Sequence, residues 1–227
     1  AFSIAASAIG NIPPVEVIEE NAKILYQIDA EIQYADIKDV DEGNGNYYST
    51  IQYRVKEENN TKEIQCPAQI YYWYLVHPRI NREDPIIVYN RSWREYLFYH
   101  NDVGHPLLKE NVDDIMYLWD QQSNTKDTGI YAVKHWIQNN IRYEIIGDRP
   151  GHPSQIAHEH TGYCGETQKL AVAAYRTALI PINGIMNYAE DHVWSEFYER
   201  GWYHYDGAIN NPYMYTDGWN KDMSAVW

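Results

Sequence analysis

Cysteine is nearly absent from this sequence: of 227 residues, only Cys66 and Cys164 carry a thiol. Two are too few for a disulfide-dense scaffold or for a zinc site built from cysteines. A Cys66–Cys164 disulfide is the one pairing open to them, and it would quench thiol chemistry. Basic residues are scarce too, with 18 Lys and Arg against 32 Asp and Glu and a formal net charge of −14. No run of Lys and Arg offsets that charge, so nucleic acid and anionic membranes are poor partners. No apolar run reaches membrane-spanning length. Phe occurs only 3 times, whereas Tyr occurs 22 times and Trp 8 times. Tyr and Trp combine an apolar body with a polar handle and suit half-buried walls of sheets or of a sugar- or peptide-binding groove.

The hydrophobic fraction of 44% supplies a sizeable core. After Pro13-Pro14, the spacing predicts a helix over Val15 to Gln27, with Glu16, Glu19 and Glu20 near its positive end. The turn cluster Glu42-Gly43-Asn44-Gly45-Asn46 precedes an alternating strand over Tyr47 to Val55, and Lys56 to Lys62 reads as polar loop. The aromatic run Ile70 to Val76 predicts a strand covered on both faces. Helical spacing returns over Leu107 to Trp119 and most clearly over Ile130 to Ile141. Arg149-Pro150-Gly151 and His152-Pro153 break the next stretch into loop. A helix over Gly165 to Leu179 follows, then short strands over Ile185 to Tyr188, His192 to Tyr198 and Trp202 to Asp206. Helices followed by an antiparallel meander make an α+β layout, not a doubly wound sheet.

Cys164 sits where a loop enters the Ala-rich helix, a place where unpaired amides and the helix dipole favour thiolate over thiol. Gly165 keeps space open beside the sulfur. The turn Glu199-Arg200-Gly201 folds the last two strands into a hairpin that brings His192 across from residues near Asp206. A carboxylate there can hold the imidazole tautomer while the other ring nitrogen faces the thiol. His192 then takes the Cys164 proton and returns it to the leaving amine, with Asp206 orienting it. His204 shares a strand face with Asp206 and ranks below His192 as the base. His152, His158, Glu159 and His160 cluster before Cys164, but without the His-Glu-x-x-His spacing of a zinc site they read as rim polarity or substrate contacts. The acidic run Asp39 to Glu42 lacks EF-hand spacing and reads as a solvated loop. No metal and no cofactor is expected.

Three stretches carry a family likeness: Gly162-Tyr163-Cys164-Gly165-Glu166, Asp191-His192-Val193-Trp194-Ser195-Glu196-Phe197-Tyr198 and Trp202-Tyr203-His204-Tyr205-Asp206. Together they resemble the signature of the transglutaminase-like superfamily, and their wording is closest to the peptide:N-glycanases. Trp136 to Tyr143 is similar to the helix before the nucleophile in that superfamily, and Gly218 to Ser224 to the segment after the Asp. The resemblance implies a papain-like core in which an amide acylates Cys164 and water or an amine releases the product. The Cys164 amide is one oxyanion donor, and a second comes from the loop between Tyr143 and Thr161. Tyr163, Glu166, Trp194 and Trp202 are expected around the substrate groove. One departure stands out: the paired Cys-x-x-Cys zinc ligands of peptide:N-glycanases are absent here.

The expected organisation is an N-terminal helix plus β-rich extension over 1–65 and a transglutaminase-like catalytic core over 66–227. The expected function is cysteine-dependent acyl transfer on amide bonds of proteins, peptides or glycopeptides, with hydrolysis favoured over cross-linking. The alternative is a silent transglutaminase-like binding module of a larger surface protein. The start at Ala1-Phe2-Ser3-Ile4-Ala5-Ala6 and the sequons Asn59-Asn60-Thr61 and Asn90-Arg91-Ser92 tilt the compartment toward an extracytoplasmic one, and the ending at Val226-Trp227 reads as a strand cut short.

Overall fold

The structure is a computed structural model that describes residues 13–57, 60–80, 91–121, 125–187, 192–205, 214–215 and 224–226. Asp206 and the segment 218–223 lie outside these residues, as do both sequon asparagines, Asn59 and Asn90. Helix α1 (Val15–Asp29) buries Ile24, Leu25 and Ile28, matching the predicted helix and extending it by two residues. A three-stranded antiparallel sheet follows, of β1 (Ala35–Asp41), β2 (Tyr47–Glu57) and β3 (Asn60–Gln65). The polar stretch expected as loop therefore belongs largely to β2 and β3.

The run Ile70 to Val76 is helical and not a strand. Helix α2 (Ala68–Tyr71) continues as a π-helical stretch over Tyr72–Val76, closed by the His77 amide donating to the Tyr72 carbonyl at 3.1 Å. An apolar run this short has no periodicity that separates a buried strand from a buried helix. Pro67 decides the matter by starting the first turn, where its missing N–H costs nothing. Helix α3 (Trp93–Tyr99) carries a Ser92 cap whose side chain accepts the Glu95 amide at 3.2 Å. The helix predicted over Leu107 to Trp119 shrinks to α4 (Leu108–Val112), because the chain turns left-handed at Asp114, with φ 58°. Helix α5 (Gly129–Asn140) forms as expected. Helix α6 (Pro153–Glu159) occupies part of the predicted loop, with Pro153 serving as a helix start.

Helix α7 (Cys164–Thr177) is the centre of the molecule, with α3, α5 and α6 packed around it. Against it lies the second sheet, of β4 (Ile182–Asn187), β5 (His192–Tyr198), β6 (Trp202–Tyr205), β7 (Met214–Tyr215) and β8 (Ser224–Val226), in the order β7-β6-β5-β4-β8 and antiparallel throughout. The fold is thus α+β, with the cysteine-bearing helix on an antiparallel sheet. Ala171, Ala173, Ala174 and Ala178 are all buried, and their small side chains let neighbours approach from every side.

A buried helix must still satisfy the carbonyls of its last turn and of the buried turn that leaves it. Tyr34 Oη donates to the Ala178 carbonyl at 2.7 Å, Tyr53 Oη to that of Leu179 at 2.6 Å, and Arg94 Nη1 to that of Arg176 at 2.7 Å. Burial raises the Tyr34 and Tyr53 phenols well above their ordinary range, so both stay donors. Arg94 is fully buried and also donates to Asn21 Oδ1 at 2.8 Å and to the carbonyls of His77, at 3.2 Å, and Leu75. Lysine has three donors on a flexible stem and cannot reproduce this fork. Arg94→Lys is therefore expected to cost about 3 kcal/mol, because buried acceptors lose their partners. A urea midpoint within error of the parent would contradict that role for Arg94.

Candidate active site

Helix α7 is registered on the second sheet by two polar side chains. Gln168 Nε2 donates to the Ile185 carbonyl at 2.7 Å and to the carbonyl of Trp194. Ile185 and Trp194 are partners across the β4–β5 ladder, so one amide ties both strands to the helix. Two turns further on, Arg176 donates through Nε and Nη2 to the Ile182 carbonyl at 3.1 and 3.0 Å. The helix thus runs from Ile185 toward Ile182, antiparallel to β4. Cys164 lies four residues before Gln168 on the same helix face, about 6 Å back along the axis. His192 lies two residues before Trp194, also about 6–7 Å back along its strand. Both displacements point to the same end of the sheet, where β4 ends at Asn187 and β5 begins at its partner His192.

Cys164 is a free, half-buried thiol at the first position of α7. Cys66 is also free, so no disulfide joins them, and burial pushes its thiol up to about 12. His192 is half-buried with its ring 6.2 Å from that of Trp194. Trp194 is buried, while Trp202 is partly exposed and meets Tyr74 edge-on at 4.8 Å. His204 is fully buried opposite Glu196 in the β5–β6 ladder. That hairpin turns through Glu199, Arg200 and Gly201 as predicted, though Arg200 and not the glycine takes the left-handed conformation, at φ 58°. The β5–β6 pairing ends at Ser195 and Tyr205, one residue before Asp206.

The segment entering α7 is clamped to the end of α5. The Arg142 amide donates to the His160 carbonyl at 2.8 Å, and the Gly162 amide donates to the Arg142 carbonyl at 3.1 Å. Gly162 passes so close that a Cβ there would meet Glu166 Cβ at 2.5 Å and Ile141 Cδ1 at 2.9 Å. Glu166 is buried and reaches back to accept the Tyr163 amide at 3.0 Å. From the solvent side, Arg149 donates Nε–H and Nη2–H to its two oxygens, each at 2.8 Å. Burial would raise the Glu166 carboxyl, but the Arg149 and backbone hydrogen bonds outweigh it and hold the group below the ordinary carboxylate value. Tyr163 stands exposed on the rim, edge-on to Tyr143 at 5.3 Å.

The histidines upstream of the cysteine group differently from the sequence pattern. His158 and His160 each lie 3.2 Å from Asp102, and His100 lies 3.6 Å from it. His152 instead accepts the Ser154 amide at the start of α6. Among the described residues, no group of three or more His, Cys, Asp or Glu is arranged to hold a metal ion. A zinc held by paired Cys-x-x-Cys motifs does not fit a chain whose two cysteines are Cys66 and Cys164. Gln168 and Arg149 are the site residues that sequence reading misses. Gln168 had one signal, a polar residue one turn after the cysteine on the same helix face.

Residues 117–207 match the family described as the Transglutaminase-like superfamily, a stretch that holds α5, α6, α7 and the β4–β5–β6 strands. That stretch is similar to a transglutaminase-like domain. Its relatives include three proteins named peptide-N(4)-(N-acetyl-beta-glucosaminyl)asparagine amidase. The one from Yarrowia lipolytica is 37% identical over 94 residues, which is 39% of this chain and 26% of that protein. The one from Caenorhabditis briggsae is 30% identical over 104 residues, 43% of this chain and 17% of that protein. A third of the same name, from Eremothecium gossypii, is 34% identical over 97 residues, 38% of this chain and 27% of that protein. The matched stretch thus spans about a quarter or less of the length of these relatives.

Two expectations follow for the entry to α7. Gly162→Ala should cost about 1–3 kcal/mol, since a buried Cβ must push apart Glu166 and Ile141; equilibrium unfolding in urea measures it. Glu166→Gln should cost about 1–2 kcal/mol at pH 7, discounted for the exposure of Arg149. Because the folded Glu166 pKa is lowered, its contribution is present above the unfolded value of about 4.5 and is lost as pH falls through the folded one. The Gln variant should therefore show a flatter acid limb below pH 4.5, and parallel acid limbs would refute the assignment.

Proposed function

We propose that this chain is a cysteine-dependent hydrolase of amide bonds in proteins, peptides or glycopeptides, working through Cys164, His192 and Asp206. The observation that carries the reading is the Gln168 clamp, which registers the first turn of α7 with the start of β5 and so gathers Cys164 and His192 at one end of the sheet. The likeness to a transglutaminase-like domain and the amidase names of its relatives support the same chemistry.

In this mechanism His192 takes the Cys164 proton, and the thiolate sulfur attacks the amide carbonyl carbon. The Cys164 backbone amide stabilises the oxyanion. His192 passes its proton to the leaving nitrogen, the C–N bond breaks and a thioester remains. A water then gives its proton to His192, attacks the thioester and releases the acid, which restores the thiol. Asp206 follows β6 directly in sequence and holds the imidazole in the required tautomer. Tyr163 stands on the rim beside the bound chain and Glu166 acts from beneath through Arg149, whereas Trp194 is buried in the core and Trp202, paired with Tyr198, lies at the end of β5 away from His192.

The test is the rate of Cys164 alkylation against pH, read by mass spectrometry. Cys66 is the silent internal comparison, being buried with its thiol pushed up to about 12. An unpaired thiol with a pKa of about 8.5 slows steadily in acid, whereas a His-paired thiolate keeps reacting at pH 6. His192→Ala is expected to lower the pH 6 rate by about tenfold or more. If Cys164 in the folded chain behaves as an ordinary thiol, the nucleophile assignment fails and a transglutaminase-like binding module is the reading that replaces it.

A further inference from the structure

Arg149 has a geometry that its ion pair with Glu166 does not use up. The contact is side-on: Nε–H goes to Oε1 and one Nη2–H to Oε2. A guanidinium has five donors, so both hydrogens on Nη1 and one on Nη2 point away from Glu166. The two partners differ sharply in exposure, with the Arg149 side chain 59% exposed and that of Glu166 9%. Glu166 therefore works as a buried footing and Arg149 as the group it presents.

That footing is keyed to the reacting cysteine. Glu166 is the third residue of α7 and accepts the amide of Tyr163, the residue before Cys164. Gly165, next to Cys164, lies directly under the guanidinium: a Cβ placed there would sit 3.6 Å from Arg149 Nη2, the one contact within 4 Å among the described residues outside its own turn of helix. A bare Cα thus lies between Cys164 and a cation held by two hydrogen bonds. Tyr143 and Tyr163, both exposed and packed edge-on, wall the same rim.

We propose that Arg149 is a specificity-determining residue that recognises a carboxylate on the substrate beside the scissile amide. An acidic side chain next to the cleaved bond, or a terminal carboxylate, would receive two parallel N–H donors from Nη1 and the outer Nη2–H. This selects against the background of the whole chain, whose net charge of −14 disfavours anions at long range. The inference rests on Cys164 as the reacting centre.

Iodoacetate and iodoacetamide test it without a known substrate. Each forms a bond from the Cys164 sulfur to its CH₂ carbon and releases iodide, but only iodoacetate carries a carboxylate. With both present, mass spectrometry gives the ratio of the two adducts at Cys164 in one sample. The native ratio should exceed that of the same cysteine in urea, and Arg149→Gln should lower it by about threefold or more. Arg149→Lys, which keeps the charge, should hold it above the urea value, and it covers the case in which the Gln variant fails to fold. A native ratio at or below the urea value, or one that Arg149→Gln leaves unaltered, would overturn the proposal. Failure of the catalytic reading looks different: there iodoacetamide alone reacts slowly at pH 6, while the adduct ratio stays measurable at pH 8.

Discussion

The burial of α7 along its length is the constraint on which the rest of this structure depends. A helix surrounded by helices and a sheet loses access to water at its last turn and at the turn that leaves it, and the carbonyls there must find donors inside the protein. The donors come from three separate regions: Tyr34 just before β1, Tyr53 from β2 and Arg94 from α3. The first sheet is thereby bonded to the far end of the helix whose near end carries Cys164. Arg94 adds a positive group at the negative end of the helix dipole, where a cation is favoured. Burial and the neighbouring Arg176 pull its pKa well down, and its carbonyl contacts oppose that pull by accepting every hydrogen it presents to them.

What was legible in the sequence follows from where periodicity is unambiguous. Helix α5 places Ile130, Val133, Trp136 and Ile137 on one buried face, and twelve residues are enough to show it. Strands β5 and β6 were legible for a different reason, since Glu199-Arg200-Gly201 marks a turn between two short aromatic-rich runs. Ile70 to Val76 failed because seven consecutive apolar residues fit either a strand or a helix, and Pro67 was the deciding residue. Helix α6 was hidden by reading Pro153 as a breaker when it is a starter. The His158–Asp102–His160 grouping was out of reach altogether, because it joins residues 56 and 58 positions apart that no local pattern connects.

The site shows the same division. Cys164 at the start of a helix is a local feature, and His192 at the start of a strand is another. Their shared end of the sheet depends on Gln168, whose importance is a matter of register. A helix rises about 1.5 Å per residue and a strand about 3.3 Å, so four residues of one match two of the other. Had the clamp been one residue earlier or later on α7, the helix face would have rotated by about 100° and Cys164 would no longer lie on the face that Gln168 turns to β4 and β5. Sequence spacing alone carries no trace of that choice.

Charge at the entry to α7 is governed by distance more than by total. The excess of 14 negative charges is spread over the molecule, and salt at physiological strength screens exposed charges beyond about 8 Å. Glu166 lies much closer, but its charge is turned inward and neutralised by Arg149 and the Tyr163 amide. What a molecule approaching Cys164 meets at short range is therefore the outer edge of a guanidinium, on a protein that is acidic overall. The ion pair also fixes that edge in place, so an incoming group does not bear the entropy of ordering a free arginine side chain. A buried carboxylate beneath an exposed arginine thus stiffens the turn that carries the cysteine and sets the sign of the field beside it.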